Sequence, residues 1–183
     1  MIKNNQSHYG WLSIVMHWLS AIVVFAMFGV GLWMVDLSYY SEWYQTAPHW
    51  HKSIGILLAL LLVFRFVWNT LQGKPKPLGS RLENVAAKFA HGVIYLLLLL
   101  IVVSGYLIST ADDRPIEVFT WFAVPSLGEL FENQADIAGE LHFYFAAVLI
   151  GLAIIHGLAA LKHHFIDKDA TLTRMLKFKQ SVK

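Results

Sequence analysis

Leu141–His163 reads LHFYFAAVLIGLAIIHGLAALKH, an apolar run whose one Lys or Arg, Lys162, lies at its end. A helix needs roughly 20 residues to cross the hydrocarbon of a bilayer, so this stretch is long enough to span one. Two imidazoles interrupt it, His142 and His156. An ionisable side chain is costly inside lipid and marks a functional site by default. Their separation of fourteen residues corresponds to about 21 Å of helix and to just under four turns, so both rings share one face within roughly 40°. One helix thus offers two imidazoles at two depths, a spacing suited to two stacked cofactors.

Three further runs have the same character, near Trp11–Val35, His51–Thr70 and Ala86–Ser109. The chain of 183 residues is 57% hydrophobic and only 14% charged, whereas a soluble domain carries about 25% charged residues. These values exclude a water-soluble globule. They predict an all-α, integral membrane four-helix bundle that forms a single domain over 1–183. The first run is too long for a signal-peptide core and has no small-residue cleavage pattern after it, so it is expected to be retained. Cysteine is absent, which excludes disulfides, thiolate metal sites, Fe–S clusters and the C-x-x-C-H attachment of covalent haem.

The basic residues are sorted along the chain. Lys3 precedes the first span; Lys74, Lys76, Arg81 and Lys88 lie between the second and third; Lys162, Lys168, Arg174, Lys177, Lys179 and Lys183 mark or follow the end of the fourth. The opposite side has Lys52 and Arg114, with Asp36, Glu42, Asp112, Asp113, Glu117, Glu129, Glu132, Asp136 and Glu140. The positive-inside rule then places both termini and the 71–85 loop in the cytoplasm. Trp11 and Trp18 mark one interface, and Trp43, Trp50 and Trp121 the other. Gly73–Pro77 breaks the chain after the second span. The acidic 110–140 loop contains Pro115 and Pro125, and a short surface helix is predicted over Leu127–Gly139.

Depth pairs the histidines. The first span rises from the cytoplasm and carries His17 a turn or two inside, level with His156. The second descends from the outside and opens on His51, level with His142. Histidine is the usual axial ligand where a protein holds haem, and imidazoles meeting two by two suit two b haems. Arg65 follows His51 by fourteen residues, so it faces the bundle near the His17–His156 level. A haem propionate is its expected partner; snorkelling to the nearer interface is the alternative. Gly55 and Gly157 are expected to leave room for a flat macrocycle. Gly29, Gly31, Gly92, Gly105 and Gly151 read as ordinary helix packing.

Other histidines compete for roles. His91, near the inner end of the third span, rivals His17 as a ligand or lines a substrate site. His49 lies outside the hydrocarbon, and His8 in a solvated tail. His163 and His164 end the fourth span beside Lys162, where a quinone ring has access.

Several motifs in order resemble the bacterial cytochrome b561 family of small membrane cytochromes over nearly the whole chain. They are Ile14–Trp18 (IVMHW), His51–Gly55 (HKSIG), Lys74–Pro77 (KPKP), His142 with His156, His163–Phe165 (HHF) and Lys168–Leu176 (KDATLTRML). The resemblance implies a four-helix bundle in the bacterial inner membrane. It implies two b haems, one on His17 and His156 and one on His51 and His142. It also implies quinone-linked oxidoreductase chemistry, with ubiquinone exchanging electrons near Lys74 and His163 on the cytoplasmic side. Some members are similar to a superoxide oxidase that passes electrons from periplasmic superoxide to ubiquinone.

No catalytic residue is assigned from the sequence, and no nucleic acid is expected among the partners. Superoxide is an anion, and nine outer acidic residues against Lys52 and Arg114 repel it, although Lys52 beside His51 offers a local positive mouth. The acidic face favours a basic or neutral periplasmic partner. Two alternatives remain: a haem-bearing anchor subunit of an oxidoreductase, and a histidine-based metal or proton transporter. The second would be expected to show inverted repeats and broken helices, and the sequence has neither signal.

Overall fold

The computed structural model describes residues 1–177; Lys179 and Lys183, two of the basic residues used for the topology, lie outside the described residues. Four helices dominate: α1 Trp11–Val35, α2 Thr46–Leu71, α3 Arg81–Thr110 and α4 Gln134–Phe165. Each is long and apolar enough to cross a membrane. Large apolar side chains remain exposed along all four, including Ile22, Val63, Leu99 and Ile155. That distribution suits a lipid surround and not water. Hydroxyls inside the helices turn back on their own backbone: Ser20 Oγ donates to the Met16 carbonyl at 2.6 Å and Ser104 Oγ to that of Leu100 at 2.7 Å.

Three helices extend beyond the apolar runs that signalled them. Pro48 falls in the first turn of α2, where its missing N–H costs nothing. The start of α3 is a capping box: the Glu83 amide donates to Ser80 Oγ at 3.3 Å, and the Ser80 amide donates to Glu83 Oε2 at 2.8 Å. Asn133, at φ 56°, turns the chain into α4. The surface helix expected over Leu127–Gly139 is not a separate element. Residues 127–133 are irregular and 134–139 are the opening turns of α4.

The chain divides into two compact units, and every helix contributes to both. The first comprises Met1–Ala21, Leu61–Ile94 and the chain from Gly151 onward. Here α2 meets α1 through Trp68 Nε1, which donates to Ser13 Oγ at 3.1 Å. Trp18 Nε1 donates to the Met175 carbonyl at 2.7 Å, and Arg174 Nη1 to that of Lys76 at 2.8 Å, fastening the segment after α4. Gly10 is required at its position. A Cβ there would lie 1.9 Å from the Ile2 carbonyl oxygen, because the N-terminal residues fold back over the start of α1.

The second unit comprises Ile22–Leu60 and Tyr95–Ile150. Its 110–140 loop holds an unanticipated hairpin, β1 Ile116–Val118 and β2 Phe122–Val124, antiparallel with Ile116 opposite Val124. Ile116 and Val118 are buried. Ser53, fully buried on α2, donates to the Glu117 carbonyl at 3.2 Å and accepts from the Phe119 amide at 3.0 Å. Gln134 is buried as completely. Its Oε1 accepts from the Leu130 amide at 2.7 Å, and its Nε2 donates to the Leu107 carbonyl at 2.9 Å.

Replacing Gln134 by Leu strands a buried donor and a buried acceptor, and should cost about 2 kcal/mol. Tyr106→Phe removes one bond to the Pro125 carbonyl at an exposed site and should cost much less. Thermal unfolding in detergent compares the two; equal shifts would show that Gln134 does not organise the loop.

Candidate functional site

In the second unit α2 and α4 bring His51 and His142 together, with ring centroids 6.3 Å apart and planes at 66°. In the first, α1 and α4 bring His17 and His156 together at 6.3 Å and 69°. Metal–imidazole bonds of about 2 Å and a ring radius of about 1.1 Å would put two opposed imidazoles on one metal about 6.2 Å apart between centroids. Both pairs have a separation that would admit a metal between the rings. His91, on α3, lies 5.2 Å from His156, closer than the rings of either pair. The structure thus places the rival histidine beside the His17–His156 pair, at a separation unlike that of either pair.

The His142 ring is held from behind. His142 Nδ1 lies 2.9 Å from the Ile101 carbonyl oxygen, which only accepts, so Nδ1 carries the proton. Its Nε2 lone pair is then free for a metal, the usual arrangement of a metal-binding imidazole. Ser104 Oγ stands 3.2 Å from the same nitrogen. Gly105 permits this approach: a Cβ there would lie 3.0 Å from His142 Cε1. Gly31 lies against His51, where a Cβ would reach the ring at 3.4 Å, an ordinary contact. His51 Nδ1 is buried without a hydrogen-bond partner among the described residues. A Cβ on Gly55 would contact Met27 instead, and one on Gly157 meets nothing within 4 Å. The glycines that lie against imidazoles are those that sequence reading treated as packing.

Arg65 stands where its fourteen-residue spacing put it, but its partner is protein. Nη2 donates to His17 Nδ1 at 2.9 Å. Its charge also acts on His156 and His91. Lys74, from the loop after α2, acts electrostatically on His91. His163 packs against Gly79, whose φ is 82° and whose Cβ would lie 3.2 Å from the ring. His163 Nδ1 is 2.8 Å from Asp169 Oδ2 and 3.1 Å from Asp167 Oδ2. Burial alone would push the Asp169 carboxyl up; hydrogen bonds from Thr171 and His163 outweigh it and hold the group below its ordinary value. Glu83, His163 and Asp167 are close enough to share a cation. Lys162 Nζ already supplies that charge, 2.6 Å from Glu83 and 2.8 Å from Asp167. His49 contacts the Phe119 ring.

Four membrane-length helices carrying paired imidazoles are the features of a small integral membrane cytochrome b. The comparisons agree. Residues 8–178 match the family described as prokaryotic cytochrome b561. The chain is 54% identical over 175 residues to cytochrome b561 homolog 2 of Escherichia coli, covering 94% of this chain and 93% of that protein. It is 28% identical over 183 residues to a probable superoxide oxidase, CybB, of Yersinia pestis, covering 94% and 97%. The chain belongs to the prokaryotic cytochrome b561 family and is a membrane haem protein of the electron-transport type.

Two consequences are measurable. Gly105→Val should drive the His142 ring off its position and lower haem bound per protein, while Gly29→Val, at a site with no neighbour within 4 Å, should leave it unchanged. Equal haem content in both would remove Gly105 from the site. Asp169, with a lowered folded value, contributes stability in full above about pH 4 and loses it as pH falls through that lower value. The gap in thermal midpoint between wild type and Asp169→Asn should therefore close between pH 7 and 3; a constant gap would dismiss the ion pair.

Proposed function

We propose that the chain carries electrons across the bacterial inner membrane through two b haems, held by His17 with His156 and by His51 with His142. The observation that carries this reading is the repeated 6.3 Å centroid spacing, present in both units and absent from the His91 pair. Bound haem supplies a reversible one-electron couple. The protein's part is to fix the imidazoles on rigid helices and, at His142, to keep Nε2 available by holding the proton on Nδ1.

The sorting of Lys and Arg supports cytoplasmic termini, with the His17 site toward the cytoplasm and the His51 site toward the periplasm. Ubiquinone is the proposed partner on the cytoplasmic side. Lys74 is a cation whose field reaches His91, and His163 is an imidazole oriented by two carboxylates, so both are candidates to bind or protonate a quinone oxygen. Arg65 is the proposed anchor for a haem propionate, because a guanidinium binds carboxylates in pairs of hydrogen bonds. The periplasmic partner is a redox protein or small molecule. Superoxide enters because one relative carries that activity in its name. The acidic outer residues favour a neutral or basic partner over an anion.

Oxidised and reduced spectra with a haem-to-protein ratio test the reading: two low-spin b haems per chain are expected. His17→Ala and His156→Ala should remove one spectral component, and His51→Ala and His142→Ala the other. One haem per chain, or loss on His91→Ala with retention on His17→Ala, would overturn the assignment.

A further inference from the structure

We propose that Arg65 is a tuning residue that raises the midpoint potential of a haem held at His17–His156 above that of one held at His51–His142. The proposal rests on the two-haem reading above and concerns what surrounds each pair.

The two sites differ in what stands behind the ligands. At the His51–His142 pair, the Ile101 carbonyl takes the Nδ1 proton of His142 in a 2.9 Å hydrogen bond. That bond makes the imidazole a stronger electron donor, which favours ferric iron and lowers the potential. At the His17–His156 pair the corresponding neighbour is a cation. Arg65 Nη2 sits 2.9 Å from His17 Nδ1, and its charge reaches His156 and His91 as well. An iron-bound imidazole normally carries its proton on Nδ1, where a guanidinium cannot donate. Arg65 then takes another acceptor, but its charge stays within the site. Ferric haem has one more positive charge than ferrous haem, so a nearby cation disfavours the oxidised form and raises the potential.

The wider charge distribution acts in the same sense. Among the described residues the first unit carries ten Lys or Arg against three Asp or Glu, and the second carries two against nine. Both basic residues of the second unit are exposed, and Arg114 is paired with Asp112 at 3.3 Å. Haem brings the same two propionates to either site, so the contrast survives loading. An electron on the lower-potential haem then passes spontaneously to the higher. One iron is oxidised and the other reduced by a single electron, with no proton or ligand moved.

Redox titration of the purified, haem-loaded chain tests this, with each site read alone in His51→Ala and His17→Ala. If either variant fails to lose one haem, the two-haem reading itself is wrong. If each loses one, the haem retained in His51→Ala should titrate above the haem retained in His17→Ala; the reverse order, or equal values, overturns this inference. In the full chain Arg65→Met should lower the higher couple by tenfold or more in its reduced-to-oxidised ratio, about 59 mV for one electron, and leave the other in place. Arg65→Lys should keep most of the wild-type value. A shift shared by both couples, or none, would remove Arg65 as the cause. Should Arg65→Met fail to load haem, the order measured in the two histidine variants, with the value for Arg65→Lys, still decides.

Discussion

An imidazole inside a lipid-facing helix loses its water and must find other partners, and much of this structure answers that demand. Each of the four paired histidines is only half-buried by protein and faces a second imidazole from another helix. The backbone follows: α3 comes close to His142 where Gly105 has no side chain, and Ile101 there offers a carbonyl. Arg65 meets the same problem with its charge and uses His17 as acceptor. A polar group satisfied at such depth is expensive to move, so the helices inherit fixed positions from a few nitrogens.

Much of this was legible in the sequence. Long apolar runs are the strongest signal a chain can carry, and all four became helices. The fourteen-residue spacing of His142 and His156 pointed to the two imidazole pairs that stand side by side in the structure. What escaped depends on polar detail outside the apolar runs. The Ser80–Glu83 capping box extends α3 through charged residues that hydropathy discounts. The β1–β2 hairpin has strands of three residues, and Phe119, not Gly or Asn, takes the positive φ in its turn. Gln134 looked like a surface residue; it is buried because three backbone groups converge on its amide. Glycine in a membrane helix has so many uses that Gly105 carried no signal until His142 was seen against it.

Charge divides this chain as sharply as hydropathy does. The cations gather in the unit that contains His17, His91 and His156; the carboxylates gather in the unit that contains His51 and His142. The sorting of charge along the chain therefore also gives the two imidazole pairs different electrical surroundings.

The hairpin's attachment has a mechanical consequence. Ser53 lies two residues after His51 and holds β1 and the first residue of the β1–β2 turn through a single hydroxyl. Load applied to the tip, where the Phe119 and Trp121 rings meet, is delivered to α2 half a turn from a paired imidazole. The tip is thus a lever with Ser53 as its fulcrum, and anything that grips it also bears on the seat of His51.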